Sequence, residues 1–337
     1  MTTDRGNRSR RIRKHVASVL AVVATAWSVA AFAAAPFAGK QAPGFYRTMV
    51  GQFEVTALSD GTHAFPIDKV VKGVSNATID GDLHRAFLEQ PVQGSINAFL
   101  VNTGKKLILI DAGAGSLYGD CCGRLVDNLR ASGYRPEQVD EVLLTHMHED
   151  HIGGIASKGA AVFPNAIVKA NRTEADYWLD PANKPGASPL LAPFFGAAAA
   201  VVEPYRATGR FQTFDGAGVI EPGIRAISLP GHTPGQIAYL VESGAAHLLV
   251  WGDVVHVAAI QLRHPQATVA YDSDPPQARE SRREILREVA ERRYLVGAAH
   301  VSFPGLGHVR ADGDGFDWVP VNYDASPVPD AGAAPGR

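Results

Sequence analysis

Four of the seven residues from Thr145 to His151 have side chains that bind divalent metal ions: His146, His148, Asp150 and His151. Imidazole and carboxylate together suit zinc and its first-row neighbours. A solvated surface run carries Lys or Glu in such places. Three further metal-capable residues stand apart in the chain, each just after an apolar run. His232 lies in the turn Pro230-Gly231-His232-Thr233-Pro234-Gly235, Asp253 follows Leu248 to Gly252, and His300 follows Val296 to Ala299. A lone histidine at a strand end is usually structural. Four such positions in one chain, one of them dense in ligands, reverse that expectation. One zinc takes three or four ligands, so seven suit two metals that share a carboxylate and a solvent-derived bridge.

These residues need strand ends to hold them. Val139 to Leu144 reads as a buried strand feeding the cluster, and Gly153-Gly154 lets the chain turn after it. Residues 52–58 alternate as a half-buried strand, with Ser59-Asp60-Gly61-Thr62 as the expected turn. Ile96 to Asn102 and Leu107 to Ile110 form a hairpin across Thr103-Gly104, and the second ends in Asp111. Short helices are expected near Leu83 to Glu89, from Arg124 to Ser132 and from Thr173 to Leu179, with an Ala-rich segment near 197–202. Asn183 to Phe195 reads as a lid or insertion rather than core. Strands follow at 166–170, 224–229, 236–241, 247–252 and 294–299. Arg279 to Arg293 is amphipathic, with Ile285, Leu286 and Val289 on one face. Such alternation defines an α/β protein whose chemistry sits where strands end. No fixed-period repeat is present, which excludes a solenoid.

The ends of the chain differ from this domain. Arg5, Arg8, Arg10, Arg11, Arg13 and Lys14 precede an apolar stretch from Val16 to Ala33 that closes on Ala31-Phe32-Ala33. That is the plan of a signal peptide at 1–33, cleaved to leave a periplasmic or secreted protein with no stable membrane span. Ser9-Arg10-Arg11 hints at a twin-arginine signal. The catalytic domain is expected over 34–325, and the Pro/Gly/Ala-rich tail 326–337 as disordered. The whole chain has 32 basic and 34 acidic residues; losing the leader, with six basic residues and one acid, deepens the acidic excess. An acidic chain without a basic stripe is no nucleic-acid binder. The two cysteines, Cys121 and Cys122, are neighbours, which bridge each other only under strain. They read as a free, partly buried pair.

Thr145 to His151 has the form T-H-x-H-x-D-H, and with His232, Asp253 and His300 it resembles the metallo-β-lactamase-fold superfamily. The resemblance implies a four-layer αβ/βα sandwich with the site along one edge of its two sheets. It implies one metal held by His146, His148 and His232, a second held by Asp150, His151 and His300, and Asp253 bridging both. Antibiotic-hydrolysing members of one group place a cysteine at the second metal and an arginine at the position of His151; neither is seen here. Mononuclear iron dioxygenases of this fold, acting on sulfur substrates, share much of the motif and stand as a rival. The likeness is closer to the bacterial methyl parathion hydrolases. It runs from about Ala42 to Tyr323 through Ala42-Pro43-Gly44-Phe45-Tyr46-Arg47, Ala57-Leu58-Ser59-Asp60-Gly61-Thr62, Val101-Asn102-Thr103-Gly104, Leu240-Val241-Glu242-Ser243 and Ser302-Phe303-Pro304-Gly305.

That branch implies a dinuclear zinc hydrolase using a metal-bridging hydroxide on phosphotriesters of the methyl parathion type. The alternative is a lactonase or carboxylesterase that takes phosphotriesters incidentally. Its partner is a small neutral ester or lactone, and related enzymes suggest a homodimer. No G-x-S-x-G is present to supply a protein nucleophile. Asp150 and Asp253 are the candidate catalytic carboxylates, Asp150 as proton acceptor. Asp111 and Thr145 are placed to orient ligands. By position, Tyr118, Trp178 and Phe194, and more weakly Phe65, fall where the family builds an aromatic leaving-group pocket. His256, three residues past Asp253, stands where close relatives have an aliphatic side chain. It is expected to face the pocket and shift preference toward more polar esters or lactones. The other histidines (His63, His84, His247, His264, His308) read as structural or surface residues.

Overall fold

The computed structural model describes residues 35–326. The expected leader at 1–33 and nearly all of the tail 326–337 lie outside the described residues. Among the described residues no helix is long and apolar enough to cross a membrane.

Two seven-stranded sheets carry the fold. The first runs in chain order through β1 (Phe45–Val50), β2 (Phe53–Phe65), β3 (Val92–Asn102), β4 (Leu107–Ile110), β5 (Glu141–Leu143), β6 (Ile167–Asn171) and β7 (Phe211–Phe214). The second runs through β8 (Gly218–Glu221), β9 (Ile224–Ser228), β10 (Ile237–Ser243), β11 (Ala246–Val250), β12 (Leu295–Gly297), β13 (Leu306–Asp312) and β14 (Gly315–Pro320). Pairing is parallel from β4 to β7 and between β11 and β12, and antiparallel elsewhere. The principal helices are α1 (Asn76–Arg85), α2 (Leu125–Ala131), α3 (Arg172–Leu179), α4 (Phe194–Arg206) and α5 (Pro275–Arg292).

The strands are apolar on both faces because both faces are covered. Phe99, Val101, Ile108 and Ile110 meet Ile237, Tyr239, Val241 and Val250 between the sheets. Their neighbours Ala98, Leu100 and Leu109 turn outward against Leu129, Trp178 and Val202 from α2, α3 and α4. On the far side Ala238, Leu240 and Leu249 pack on Ile285, Leu286 and Val289 of α5. Helix, sheet, sheet, helix: this is the four-layer αβ/βα sandwich. Four charged side chains also tie the sheets. Lys106 and Lys169 both pair with Glu141 of the first sheet and with Glu221 of the second, Lys169 Nζ lying 2.7 Å from Glu221 Oε1.

Several local expectations are corrected. Ser59 to Thr62 is not a turn, because β2 continues to Phe65 with its register shifting between Ser59 and Gly61. The Asp60 carboxylate is buried at that bulge and accepts N–H groups from Ala114, Gly115, Gly123 and Leu125. The polar turn signature served a tertiary anchor. The helix expected at Leu83 to Glu89 lies earlier, at α1, where the Ser75 side chain caps it by accepting from Thr78 N. The segment Asn183 to Phe195 is partly core: Leu191 and Phe195 are buried and Phe194 opens α4. The hairpin β13–β14 is not foreseen from the sequence, because its strands lack a sustained apolar alternation and each turns exposed toward its C-terminal end.

Candidate metal centre

Every candidate ligand leaves the carboxyl end of a strand. β5 leads into His146, His148 and the single helical turn Glu149–Ile152, which carries Asp150 and His151. β9 leads to His232, β11 to Asp253 and β12 to His300. The two sheets thus deliver ligands to one edge. Glycine makes two of these approaches possible. Gly252 has φ +59 and would press a Cβ to 2.9 Å from Thr145, while Gly231 has φ +128 against the backbone of Ala278.

All seven predicted residues are buried and converge. His146, His148, His232 and Asp253 form one group of potential donors, and Asp150, His151 and His300 a second. Asp253 faces both. Its Oδ1 lies 2.9 Å from His151 Nε2 and 3.1 Å from His300 Nε2, and its Oδ2 lies 3.2 Å from His232 Nε2 and 3.7 Å from His146 Nε2. Asp150 Oδ2 is 3.5 Å from His300 Nε2. His148 Nδ1 and His232 Nε2 face each other at 3.0 Å.

Several of the donor atoms needed for ions are left without partners. His146 Nε2, His151 Nε2, His300 Nε2 and Asp253 Oδ1 are buried and lack a well-aligned hydrogen bond. An unsatisfied buried polar group costs about 1–3 kcal/mol. Several together would consume much of the ~5–15 kcal/mol by which a domain is stable. Divalent cations fit this donor set.

The opposite ring nitrogens are tied down. His151 Nδ1 lies 2.8 Å from Asp111 Oδ2, which also accepts the Thr145 hydroxyl at 2.8 Å; Asp111 Oδ1 accepts Thr145 N at 2.8 Å. His232 Nδ1 lies 2.8 Å from Asp272 Oδ1, whose other oxygen accepts Val269 N. His300 Nδ1 lies 2.9 Å from Ser95 O. These contacts set each ring's rotation and tautomer.

Electrostatics divide the cluster. Burial pulls His146 and His148 well below the ordinary histidine value, helped by neighbouring imidazoles. Burial also opposes charge on His232, yet Asp253 and Asp272 outweigh it and push the ring up to about 9. Burial opposes charge on Asp253 as well, but the surrounding histidines, His151 first, hold it well below the carboxylate range.

The expected substrate residues separate. Phe194 is half-buried with its ring 5.1 Å from His148, and Phe65 stands 5.8 Å from His300. Tyr118 is half-buried beside His63 at 5.0 Å; burial, and then the charges of Asp150, Glu149 and Asp253, raise its phenol. Trp178 is a correction. Only 1 % of it is exposed, and it packs behind His148 with Nε1 donating to Glu174 Oε1 at 2.7 Å. It supports the ligand loop and offers no surface to a substrate. His256 is closer in than expected: its Nε2 is 3.0 Å from Asp253 Oδ2 and its ring stacks on His300. His63, read as structural or surface, lies in the wall between Phe65 and Tyr118.

Three residues escaped the sequence reading. Asp272 steadies His232. Glu174 is buried and accepts Met147 N at 2.9 Å and Gly235 N at 2.9 Å, joining two ligand loops. Tyr271 sits 6.1 Å from His256, and burial, with Asp150 and Asp253, pushes its phenol up to about 12. The neighbouring Tyr271-Asp272 pair was the one available signal; Glu174 gave none, being one acid in an ordinary helix.

A profile of the metallo-beta-lactamase superfamily matches residues 91–300. The structure is similar to that of hydrolase AbOPH of the beta lactamase superfamily, with 37% identity, a TM-score of 0.80, and coverage of 85% of this chain and 100% of that one. It is also similar to AidC, a dizinc quorum-quenching lactonase, with 26% identity, a TM-score of 0.77, and coverage of 83% and 98%. A probable metallo-hydrolase of Mycobacterium tuberculosis is 27% identical over 201 residues, 48% of this chain and 60% of that protein. The chain thus spans about three fifths of the length of that curated relative. An N-acyl homoserine lactonase of a Bacillus species is 28% identical over 120 residues, 36% of this chain and 40% of that protein. The chain belongs to the metallo-beta-lactamase superfamily. The matched span, residues 91–300, holds every candidate ligand.

Proposed function

We propose that this protein is a hydrolase that holds two zinc ions and opens small neutral esters, with lactones and aryl carboxylic esters as principal substrates and phosphotriesters of the methyl parathion type as secondary ones. The observation that carries this ordering is His256 beside Asp253, with the Tyr271 ring next to it. A polar side over the shared carboxylate suits an ester or lactone oxygen better than an all-apolar pocket does. The likeness to AidC, described as a dizinc lactonase, supports the same reading. A secondary triester activity is supported by the aromatic rings beside the site, Phe194 at His148 and Phe65 at His300, which suit an aryl leaving group.

In this reading His146, His148 and His232 would hold one ion and Asp150, His151 and His300 the other, with Asp253 shared between them. The ions would supply Lewis acidity and a water activated at neutral pH. The chain supplies orientation. Asp111 and Asp272 fix His151 and His232 through their Nδ1 atoms. Asp150 is the carboxylate placed to take up a proton during turnover. The Tyr271 phenol keeps its proton at neutral pH and offers a donor to an ester oxygen. With the leader 1–33 removed, the enzyme would work in the periplasm or outside the cell.

The test is metal content together with a substrate panel on the mature protein: acyl-homoserine lactones, aryl esters and paraoxon-like triesters. Two zinc ions per chain and the highest kcat/KM on lactones or aryl esters are expected. Triesters at the top of the panel would reverse the ordering. One iron per chain with oxygen consumption would remove the reading altogether.

A further inference from the structure

We propose that Cys121 and Cys122 are a redox-modification site, a thiol pair that exchanges with small-molecule disulfides and closes into a vicinal disulfide, shifting the Tyr118 wall of the substrate cavity. The two are the chain's entire cysteine content. Both are free, with their Sγ atoms in contact at 2.7 Å. Cys121 is half-buried and reachable, whereas Cys122 is buried against Ile96 and Ala114.

The surroundings suit stepwise exchange. Cys121 Sγ lies 3.9 Å from His63 Nδ1 and 3.3 Å from the Tyr118 carbonyl. The imidazole can take the Cys121 proton as the thiolate forms. Burial, and then the contact with Cys121, push the Cys122 thiol up, so it stays protonated until its neighbour has reacted. The Cys121 thiolate attacks one sulfur of the incoming disulfide and expels the first thiol, leaving a mixed disulfide. Cys122 then loses its proton, attacks Cys121 Sγ and expels the second thiol. The small disulfide is reduced to two thiols and the pair is oxidised by two electrons. A ring closed between adjacent residues is strained, and strained disulfides are the labile, regulatory kind.

The loop can respond. Asp60 pins it through Ala114 and Gly115 on one side and Gly123 and Leu125 on the other. Between those pins lie Tyr118 and the thiols, beside Gly119 at φ +66, where an added Cβ would meet nothing within 4 Å. Gly119, Asp120, Cys122 and Gly123 line a cavity of about 630 Å³ that includes none of the metal-centre residues. Closure of the ring therefore has room to move the backbone, and Tyr118 is three residues away. The thiol chemistry stands independently of ester hydrolysis; only the effect on substrate rests on the proposed function.

The metal-loaded protein is equilibrated in glutathione buffers of graded potential, alkylated and weighed. The expected result is one two-electron transition to a monomer lacking two hydrogens and unable to be alkylated, reversed by dithiothreitol. The ratio of reduced to oxidised chain should change tenfold per ~30 mV. The oxidised form should show KM for aryl esters altered about threefold or more at similar kcat, with Cys121→Ser indifferent to the buffer and Cys122→Ser arrested as a mixed disulfide on Cys121. Thiols still fully alkylated in the most oxidising buffer, or a stable mixed disulfide alone, would overturn the site. Ring closure with unaltered KM would overturn its coupling to Tyr118. The mass readout holds whichever substrate the enzyme prefers.

Discussion

His256 Nε2 lies 3.0 Å from Asp253 Oδ2, on the same oxygen that faces His232. The imidazole therefore occupies the rim of the metal centre and presents a polar group where an aliphatic one would exclude water. Replacing it tests the proposed substrate ordering. His256→Leu should raise the ratio of triester to lactone kcat/KM by about tenfold, equivalent to ~1.4 kcal/mol of transition-state discrimination. Metal content should stay at the wild-type value. An unchanged ratio across the panel would remove His256 as the selector.

Asp272 acts on the centre only through His232. Asp272→Asn keeps the shape but cannot balance charge on the ring, and it weakens the hold on the tautomer. A loss of about 10–100-fold in metal affinity or activity is expected, read by chelator competition. Asp111→Asn should do the same through His151. Equal affinity in wild type and both variants would show that the ligands need no such support.

Glu174 and Trp178 form the floor beneath the ligand loops. Glu174→Ala strands the buried donors of Met147, Gly235 and Trp178 and should cost about 3 kcal/mol or more in denaturant unfolding. Trp178→Phe removes one hydrogen bond and should cost about 1–2 kcal/mol. KM on aryl esters should scarcely change in Trp178→Phe, because the ring meets no substrate. A large rise in KM would restore it to the pocket wall.

The link between the sheets predicts a pH response. Burial opposes the charge on Glu221, but Lys106 and Lys169 outweigh it and push the carboxyl down to about 2, from an ordinary 4.5. A depressed carboxylate stabilises the fold fully above pH 4.5 and loses that contribution as pH falls toward 2. Lys106 is raised above its ordinary 10.5 by its bonds to Glu141 and then Glu221, so its share is complete below that value and lost in stronger alkali. Melting of metal-free protein should fall between pH 4.5 and 2 more steeply in wild type than in Glu221→Gln. Parallel acid limbs would show that the ion pairs add nothing.

Much of this is legible in the sequence. The dense run Thr145 to His151, and the habit of His232, Asp253 and His300 to follow apolar runs, pointed to the seven side chains that the fold brings together. The reason is local: a strand buried on both faces must be apolar, so a metal-binding side chain at its end stands out in the sequence. The same continuous apolar runs located most central strands of both sheets and the α/β class.

Tertiary structure alone decided the rest. Asp60 reads as a turn residue until the N–H groups of a loop more than fifty residues away close around it. Trp178 could have faced a ligand or the core, and Glu174 behind it settled the matter by accepting its indole N–H. Asp272 and His232 are forty residues apart and meet because α5 and the loop before it fold over β9 and β10. Periodicity reports which face of an element is buried. It cannot report which other element does the burying, and orienting contacts, cavity walls and the placement of two adjacent thiols all depend on that.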